Sequence, residues 1–263
     1  MKNRLDVLLV EQGYFQSREK AKAAIMAGLV FVDGQISDKA GAQIAEDAII
    51  EVKGNDCPYV SRGGFKLEKA LKSFAIDVNG LRCLDIGAST GGFTDCLLQN
   101  GAEKVYSVDV GYGQLDYKLR IDPRVVCMEK INFRYMTEND LPEKVDFACA
   151  DVSFISLKHM FPVVSVLLKE KGTLACLVKP QFEAGKEQVG KNGIIHDARV
   201  HKEVIEKVIN YALESNLYPL ALDYSPVTGA KGNIEFLLYL TKKPTEIELD
   251  IQSVVDIAHK ELD

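Results

Sequence analysis

The sequence predicts an α/β protein in which a small α+β module precedes a doubly wound, mostly parallel β-sheet. From residue 81 onward, short apolar runs typical of strands alternate with helical patterns, and a glycine-rich stretch follows the first of these runs. Two helical patterns and a few short apolar runs within residues 4–52 indicate the smaller module. The chain of 263 residues is long enough for both parts.

Composition narrows the class of protein. With 47% hydrophobic and 27% charged residues, the chain can bury a full core, and no apolar run reaches the roughly 18 residues that a membrane span needs. The N-terminus lacks the pattern of an export signal, so we expect a cytoplasmic protein. The cysteines form no Cys-x-x-Cys pair, and we expect reduced thiols and no metal.

The net charge of −6 is unevenly distributed. Residues 1–72 hold 11 basic and 10 acidic side chains, whereas the remaining residues hold 21 and 28. A locally basic front on an acidic body is compatible with an RNA partner. The sequence indicates no obligatory protein partner.

In the front module, Leu5, Leu8 and Leu9 have helical spacing, and Ser17 is a suitable N-cap for a second helix. Strands are expected around an Asp-Gly turn in residues 29–35 and again at 49–52. The basic side chains of the two helices either contact RNA phosphates or form a solvated face. They are Arg4, Arg18, Lys20 and Lys22.

Turn-forming residues at 54–60 predict a linker, which separates a domain of residues 1–53 from one of residues 61–263. The next helical pattern, at residues 66–74, places Lys66 beside its apolar face, where this lysine can enter a cleft. Strands are then predicted at residues 82–86, 104–108, 125–128, 145–150, 173–178, 219–224 and 235–240.

A glycine-rich loop joins the first of these strands to a helix. Its residues are Asp85, Gly87, Ala88, Ser89, Thr90, Gly91, Gly92 and Phe93. Glycines let a cofactor approach the backbone, and Asp109 ends the next strand, where a carboxylate can accept ribose hydroxyls. The spacing favours S-adenosylmethionine over a dinucleotide, and a tight turn without a ligand is the third interpretation.

Charged residues stand where strands of this sheet begin or end. Asp151 and Lys179 follow predicted strands, Glu235 begins the last one, and Lys66 lies on the leading helix. Doubly wound sheets bind their ligands at the carboxyl ends of strands. A lysine whose charge is tuned by its neighbours can act as a base on a ribose hydroxyl, although each of these residues can also be an ordinary solvated charge.

Six segments together resemble the TlyA family. They are residues 59–71 (Tyr-Val-Ser-Arg-Gly-Gly-Phe-Lys-Leu-Glu-Lys-Ala-Leu), the 85–93 loop, 109–115 (Asp-Val-Gly-Tyr-Gly-Gln-Leu), 151–156 (Asp-Val-Ser-Phe-Ile-Ser), 178–183 (Val-Lys-Pro-Gln-Phe-Glu) and 232–235 (Gly-Asn-Ile-Glu). The resemblance implies an S4-type RNA-binding domain joined to a Rossmann-like methyltransferase domain of the FtsJ/RrmJ type. It also implies S-adenosylmethionine as cofactor and cytidine 2′-hydroxyls of ribosomal RNA as substrate.

By this resemblance, Lys66, Asp151, Lys179 and Glu235 match a catalytic Lys-Asp-Lys-Glu tetrad. We expect Lys179 to be the base, Asp151 and Glu235 to orient it, and Lys66 to tune it. Asn132 follows the third strand of the sheet, where such enzymes contact the adenine of the cofactor.

The front of the chain resembles the S4-type pattern in Arg4-Leu-Asp and Ser17-Arg-Glu-Lys-Ala, which favours RNA contact by Arg4 and Arg18. We expect Arg62 to contact RNA as well. The short termini are similar to those of family members that modify only large-subunit RNA, whereas longer members act on both ribosomal subunits.

Three alternatives remain. Asp151-Val-Ser-Phe has some similarity to the motif of enzymes that methylate base nitrogens, which need neither Lys179 nor Glu235. Many family members are named hemolysin, which suggests a membrane-active protein, but the apolar spacing at 245–263 lies in an acidic segment. The third is an RNA-binding protein whose catalytic domain is inactive.

Overall fold

The computed structural model describes residues 2–12, 14–15, 17–45, 48–52, 57–190, 193–229 and 232–262. The chain divides into two compact units, Met1–Pro58 and Tyr59–Asp263. The division falls within the predicted linker, of which residues 54–56 lie outside the described residues. The exact bounds of that linker therefore stay a prediction.

The first unit packs two helices against short antiparallel strands. Its elements are β1 (Lys2–Arg4), α1 (Leu5–Glu11), α2 (Arg18–Met26), β2 (Val30–Val32), β3 (Gln35–Ile36), β4 (Gln43–Ala45) and β5 (Ile50–Val52). Strands β1 and β4 pair with each other, and β2 lies between β3 and β5. Leu5, Leu9 and Ile25 are fully buried in its core.

Local signals in this unit behave as the sequence predicts. The Ser17 side chain accepts a hydrogen bond from the Lys20 amide, which caps α2. Asp33 and Gly34 both have positive φ, as a two-residue hairpin turn requires, and they join β2 to β3.

The second unit alternates strands and helices. Its elements are α3 (Gly63–Ser73), β6 (Arg82–Ile86), α4 (Gly92–Gln99), β7 (Lys104–Asp109), α5 (Tyr117–Arg120), β8 (Val125–Glu129), β9 (Val145–Ala150), α6 (Phe161–Leu167), β10 (Leu168–Val178), α7 (Pro180–Glu183), α8 (Ala198–Glu214), β11 (Tyr218–Tyr224), β12 (Phe236–Thr241) and α9 (Ile251–Leu262).

In the described part of the chain, these strands form one sheet in the order β11-β12-β10-β9-β6-β7-β8. Only β12 pairs antiparallel, with both β10 and β11, so the predicted mostly parallel sheet is confirmed. The chain moves outward from β6 through β7 to β8 and then returns to β9 on the other side of β6. Ligands bind at such a reversal, beside the carboxyl ends of the central strands.

Five strands differ from the predicted bounds, and β7, β8, β11 and β12 do so by a single residue at one end or both. The largest difference is in β10, which begins at Leu168 rather than at residue 173. The prediction missed these residues because charged side chains and a glycine interrupt the apolar pattern there. The register of β10 against β9 also shifts between Leu168 and Thr173. Glu235 lies one residue before β12 rather than within it. Its backbone oxygen still accepts the Ser225 amide, and this hydrogen bond fixes its position.

The core of the second unit lies between the sheet and the helices that cover it, and includes the fully buried Leu84, Phe147 and Phe236. All six cysteines are free thiols. Among the residues that the structure describes, no helix has the length and apolar character needed to cross a bilayer.

Candidate active site

The glycine loop between β6 and α4 has a backbone that side chains would disturb. Gly87 and Gly91 have φ values of +81° and +96°. A Cβ on Gly87 would lie 2.8 Å from the Asp151 carbonyl oxygen, and one on Gly91 would lie 2.3 Å from the Leu119 side chain. Both positions therefore need glycine for conformation and for space.

Asp109 holds this loop in place. Its carboxylate accepts hydrogen bonds from the backbone amides of Ser89, at 2.8 Å, and Gly111, at 2.7 Å. Because Asp109 ends β7, these contacts join the loop after β6 to the neighbouring strand. Each carboxylate oxygen can still accept further hydrogen bonds from a ligand.

Two of the residues that we expected to contact the cofactor lie elsewhere. Asp85 is completely buried and lines neither of the cavities described below, and Gly91 also lines neither. The Asp85 carboxylate accepts hydrogen bonds from the Thr94 amide, at 2.9 Å, and the Thr94 hydroxyl, at 2.7 Å. Burial raises the pKa of Asp85 to about 7, although the Thr94 hydrogen bonds oppose this shift. In this structure Asp85 supports the start of α4.

Two adjoining cavities open at the carboxyl edge of the sheet. We call them the lysine cavity, of about 540 Å³, and the Asp109 cavity, of about 590 Å³. Gly87, Ser89, Asp151 and Ser153 line both of them. A ligand that fills one cavity therefore reaches the wall of the other.

The Asp109 cavity suits a nucleoside. Asp109 and Asn132 supply polar groups to its lining, and Val110, Ile131 and Phe133 supply apolar surface. A carboxylate can accept the hydrogen bonds of a ribose diol, an amide can bind a base edge, and apolar side chains can cover the faces of an adenine. These residues fit the adenosine part of S-adenosylmethionine.

Four charged residues that lie far apart in the sequence meet at the lysine cavity. Lys66, Asp151 and Lys179 line the cavity, and Glu235 contacts Lys66 without lining it. Lys66 Nζ donates to Glu235 Oε2 at 2.7 Å and to Asp151 Oδ2 at 3.3 Å. Lys179 Nζ lies 2.5 Å from Asp151 Oδ1 in an ion pair that lacks hydrogen-bond geometry. Asp151 is thus the carboxylate that both lysines share.

The arrangement differs from our expectation for Glu235. We expected Glu235 to orient Lys179, but its described ion pair is with Lys66, and its side chain is only 2% exposed. Burial lowers the pKa of Lys66, and the carboxylates of Asp151 and Glu235 outweigh this effect, so that the pKa is raised overall. Lys66 is therefore held as an ammonium group.

Three neighbours of this cluster were not among the predicted site residues. The Ser153 hydroxyl accepts a hydrogen bond from Lys179 Nζ at 3.0 Å, and the Gln181 amide donates to Glu235 Oε1 at 3.3 Å. The Phe154 ring is 91% exposed and lines the Asp109 cavity, with a positive backbone φ of +64°. Phe154 could have been found from the sequence, because it is a large aromatic residue within the Asp151–Ser156 motif.

Further exposed aromatic side chains follow β7 and β8. Tyr112 and Tyr135 are both largely exposed. Lys130 Nζ lies 4.1 Å from the centre of the Tyr112 ring, and the Arg134 guanidinium lies 5.9 Å from that of Tyr135. Each pair combines a positive charge with a flat ring, which is a surface suited to single-stranded nucleic acid.

The predicted RNA contacts fall into two groups. Arg62 is exposed and lines the lysine cavity. In the first unit, Arg4 and Arg18 both contact the fully buried Asp6 carboxylate at 2.9 Å, while their side chains stay half exposed. Their hydrogen bonds, that of Arg4 above all, hold the pKa of Asp6 well below its usual range. These arginines therefore stabilise the first unit, a role that we had not assigned to them.

The two remaining predicted contacts, Lys20 and Lys22, lie on α2, where Lys20 is exposed and Lys22 is half buried. The described residues contain no cluster of His, Cys, Asp and Glu side chains suited to hold a metal ion.

Comparison with known proteins gives two family matches. The model of the FtsJ-like methyltransferases matches residues 59–242, and that of the S4 domain matches residues 3–50.

Two curated proteins are similar along nearly the whole chain. YqxC of Bacillus subtilis, named as a candidate rRNA methyltransferase, is 52% identical over 99% of this chain and 95% of its own length. The 16S/23S rRNA (cytidine-2′-O)-methyltransferase TlyA of Mycobacterium tuberculosis is 41% identical over 98% and 96%. A solved structure from Streptococcus thermophilus, described as a candidate hemolysin, is 48% identical, with a TM-score of 0.79 over 99% of this chain and 96% of that one.

Proposed function

The chain belongs to the TlyA family, in which an S4 domain precedes an FtsJ-like methyltransferase domain, and we propose that it methylates the 2′-hydroxyl of cytidine in ribosomal RNA with S-adenosylmethionine as methyl donor. The observation that carries this proposal is the cluster of Lys66, Asp151, Lys179 and Glu235 beside the glycine loop. Enzymes that methylate base nitrogens have no need of such a lysine and carboxylate set.

The Asp109 cavity would hold the adenosine part of the cofactor. Asp109 would accept hydrogen bonds from the ribose hydroxyls, and Asn132 would contact the base. The rest of the cofactor would lie along Gly87 and Ser89, which line both cavities, and would extend towards the lysines. When bound, S-adenosylmethionine supplies a methyl group on a positively charged sulfur.

We assign Lys179 as the base. Lys66 contacts two carboxylates and Lys179 contacts one, so Lys179 is the lysine less enclosed by acidic partners, and in its neutral form it would accept the proton of the ribose hydroxyl. Asp151 and Ser153 aim the Lys179 amine into the cavity, and Lys66 holds the far side of Asp151 in place.

Several exposed groups would bind the RNA. Arg62 lies in the lysine cavity, where it can pair with a phosphate near the target nucleotide, and Phe154 offers a face on which an unstacked base can lie. In the first unit, we propose phosphate contacts by Arg4, Arg18, Lys20 and Lys22. We expect large-subunit RNA to be a substrate, with small-subunit RNA as a second one to be tested.

The test is methyl transfer from labelled S-adenosylmethionine to purified ribosomal subunits of both kinds. We expect the wild-type protein to label the large subunit, and Lys179→Ala to lose at least about 100-fold in kcat, as expected for removal of a general base. Lys144→Ala, in which an exposed surface lysine is replaced, should behave as wild type. Activity retained by Lys179→Ala would reject the assignment of the base.

A further inference from the structure

Two segments of the second unit are held together at three points. One is the loop from Asp151 to Leu157, which follows β9, and the other runs from Lys179 to Glu183, which follows β10. At one end, Lys179 contacts both Asp151 and Ser153. In the middle, the rings of Phe154 and Phe182 meet with their centres 5.0 Å apart.

At the other end, a buried carboxylate forms the third link. Glu183 Oε1 accepts the Leu157 backbone amide and Oε2 accepts the Ser156 hydroxyl, both at 2.7 Å. Glu183 is only 4% exposed and lines neither cavity. Glu183 can therefore affect the reaction only by changing the position of the loop that it binds.

A carboxylate at this place needs an explanation, because burying it is costly. Burial raises the pKa of Glu183 despite the two hydrogen bonds that oppose the shift. Lys207 lies nearby, but its hydrogen bond goes to the backbone oxygen of Glu183 rather than to the carboxylate. The two short bonds to the loop, together with the positive charge of Lys207, compensate for this burial.

The loop also contains a strained backbone position that needs support. Phe154 has a positive φ although it is not glycine, and its ring is almost entirely exposed. A backbone in this region persists only when the surroundings hold it. Lys179 restrains the loop before Phe154, and Glu183 restrains it immediately afterwards.

We propose that Glu183 is a positioning residue for methyl transfer, which fixes Ser153 and Phe154 against Lys179 by binding the far end of their loop. This inference rests on the proposed function for its catalytic consequence. The restraint of the loop itself can be measured without any RNA.

The first measurement uses fluorescence. The protein contains no tryptophan, so Phe154→Trp places a single reporter on the loop. In the full chain carrying this reporter, Glu183→Ala should increase the nanosecond component of the anisotropy decay at least about two-fold, since loops move on this timescale. Glu203→Ala removes an exposed carboxylate of α8 that binds the Gln188 side chain, and should leave the decay unchanged.

The second measurement uses methylation of large ribosomal subunits by chains that carry Phe154. Glu183→Ala should lower kcat roughly 10- to 100-fold, as small misplacements of catalytic groups do. Because Val152, Ser153 and Phe154 of the restrained loop line the Asp109 cavity, the Kd for S-adenosylmethionine should also rise, but by a smaller factor than kcat falls. Glu183→Gln keeps one acceptor oxygen and should restore part of kcat. Ser156→Ala removes one of the two hydrogen bonds to Glu183, and its kcat should also lie between those of wild type and Glu183→Ala.

A folded Glu183→Ala protein with wild-type anisotropy and kcat would overturn the proposal, as would an equal loss caused by Glu203→Ala. If Glu183→Ala does not fold, the anisotropy decay and kcat of Glu183→Gln and Ser156→Ala are compared with those of wild type instead, and wild-type values in both variants would overturn the proposal. A wild-type protein without methylation activity, combined with a loosened loop in the variant, would reject the proposed function while leaving the restraint by Glu183 intact.

Discussion

Replacing Glu235 by glutamine tests the buried side of the lysine cavity. The substitution keeps the shape of the side chain but removes the charge that lies 2.7 Å from Lys66 Nζ. Breaking a buried ion pair costs about 3–5 kcal/mol. The Lys66 side chain retains Asp151 at 3.3 Å and is 11% exposed, so we expect a smaller loss of about 2 kcal/mol in the free energy of unfolding.

Urea unfolding of the full chain at pH 7.5 measures this loss. For a unit of this size, about 2 kcal/mol corresponds to a fall in Tm of roughly 4–8 °C. Glu170→Gln, which replaces an exposed carboxylate near Lys242, is the matched control and should change stability by less than about 0.5 kcal/mol.

The pH dependence gives a second check on the same pair. Because the pKa of Lys66 is raised in the folded protein, its contribution is fully present below the ordinary lysine pKa, and is lost as the pH rises through the folded value. The difference between wild type and Glu235→Gln should therefore be constant from pH 7 to pH 9 and shrink only at higher pH. A difference under about 0.5 kcal/mol at pH 7.5 would refute the reasoning.

Three further predictions concern residues that support the glycine loop between β6 and α4 or the first unit. Asp85→Asn should gain stability relative to wild type as the pH rises from 4 towards 8. The pKa of Asp85 is raised to about 7 in the folded protein, so folding opposes ionisation of this carboxyl at any pH above its pKa in the unfolded chain. Paired urea titrations at pH 5 and pH 8 measure the difference. Gly91→Ala should weaken S-adenosylmethionine binding in calorimetry by about 10-fold or more, since its φ of +96° and the approach to Leu119 each oppose a side chain. Asp6→Asn should speed hydrogen exchange in α1 at pH 7 and much less near pH 2, because the lowered pKa of Asp6 gives stability above its unfolded value that is lost as the pH falls.

The sequence predicted the larger sheet well because local patterns carried the information. Each strand of the second unit produces an apolar run, and the glycine loop marks the first crossover. The extension of β10 to Leu168 was missed, since a charged segment in a strand has no apolar signal.

At the site, the sequence indicated which residues converge but not which of them touch. The position of Lys66, Asp151 and Lys179 at strand ends or on a helix face followed from periodicity. The pairing of Glu235 with Lys66, rather than with Lys179, depends on the packing of α3 against the end of β12, which no local pattern encodes.

The supporting residues were the hardest to find. Asp85 looks like a ligand residue in a glycine-rich loop, and only its contacts with Thr94 show that it points away from the cavities. Glu183 lies four residues after Lys179 in a motif that we had quoted without assigning it a role, because its partners are a hydroxyl and a backbone amide from another segment.

The position of the transferred methyl group tests the central claim most directly. Ribosomal RNA treated with the protein can be digested with alkali, which leaves uncleaved the bond that follows a 2′-O-methylated nucleotide, and the resistant dinucleotide can be identified by mass spectrometry. We expect a resistant dinucleotide that begins with cytidine, present with the wild-type protein and lost with Lys179→Ala. A methyl group found on a base, or a resistant product that persists in Lys179→Ala, would contradict the account.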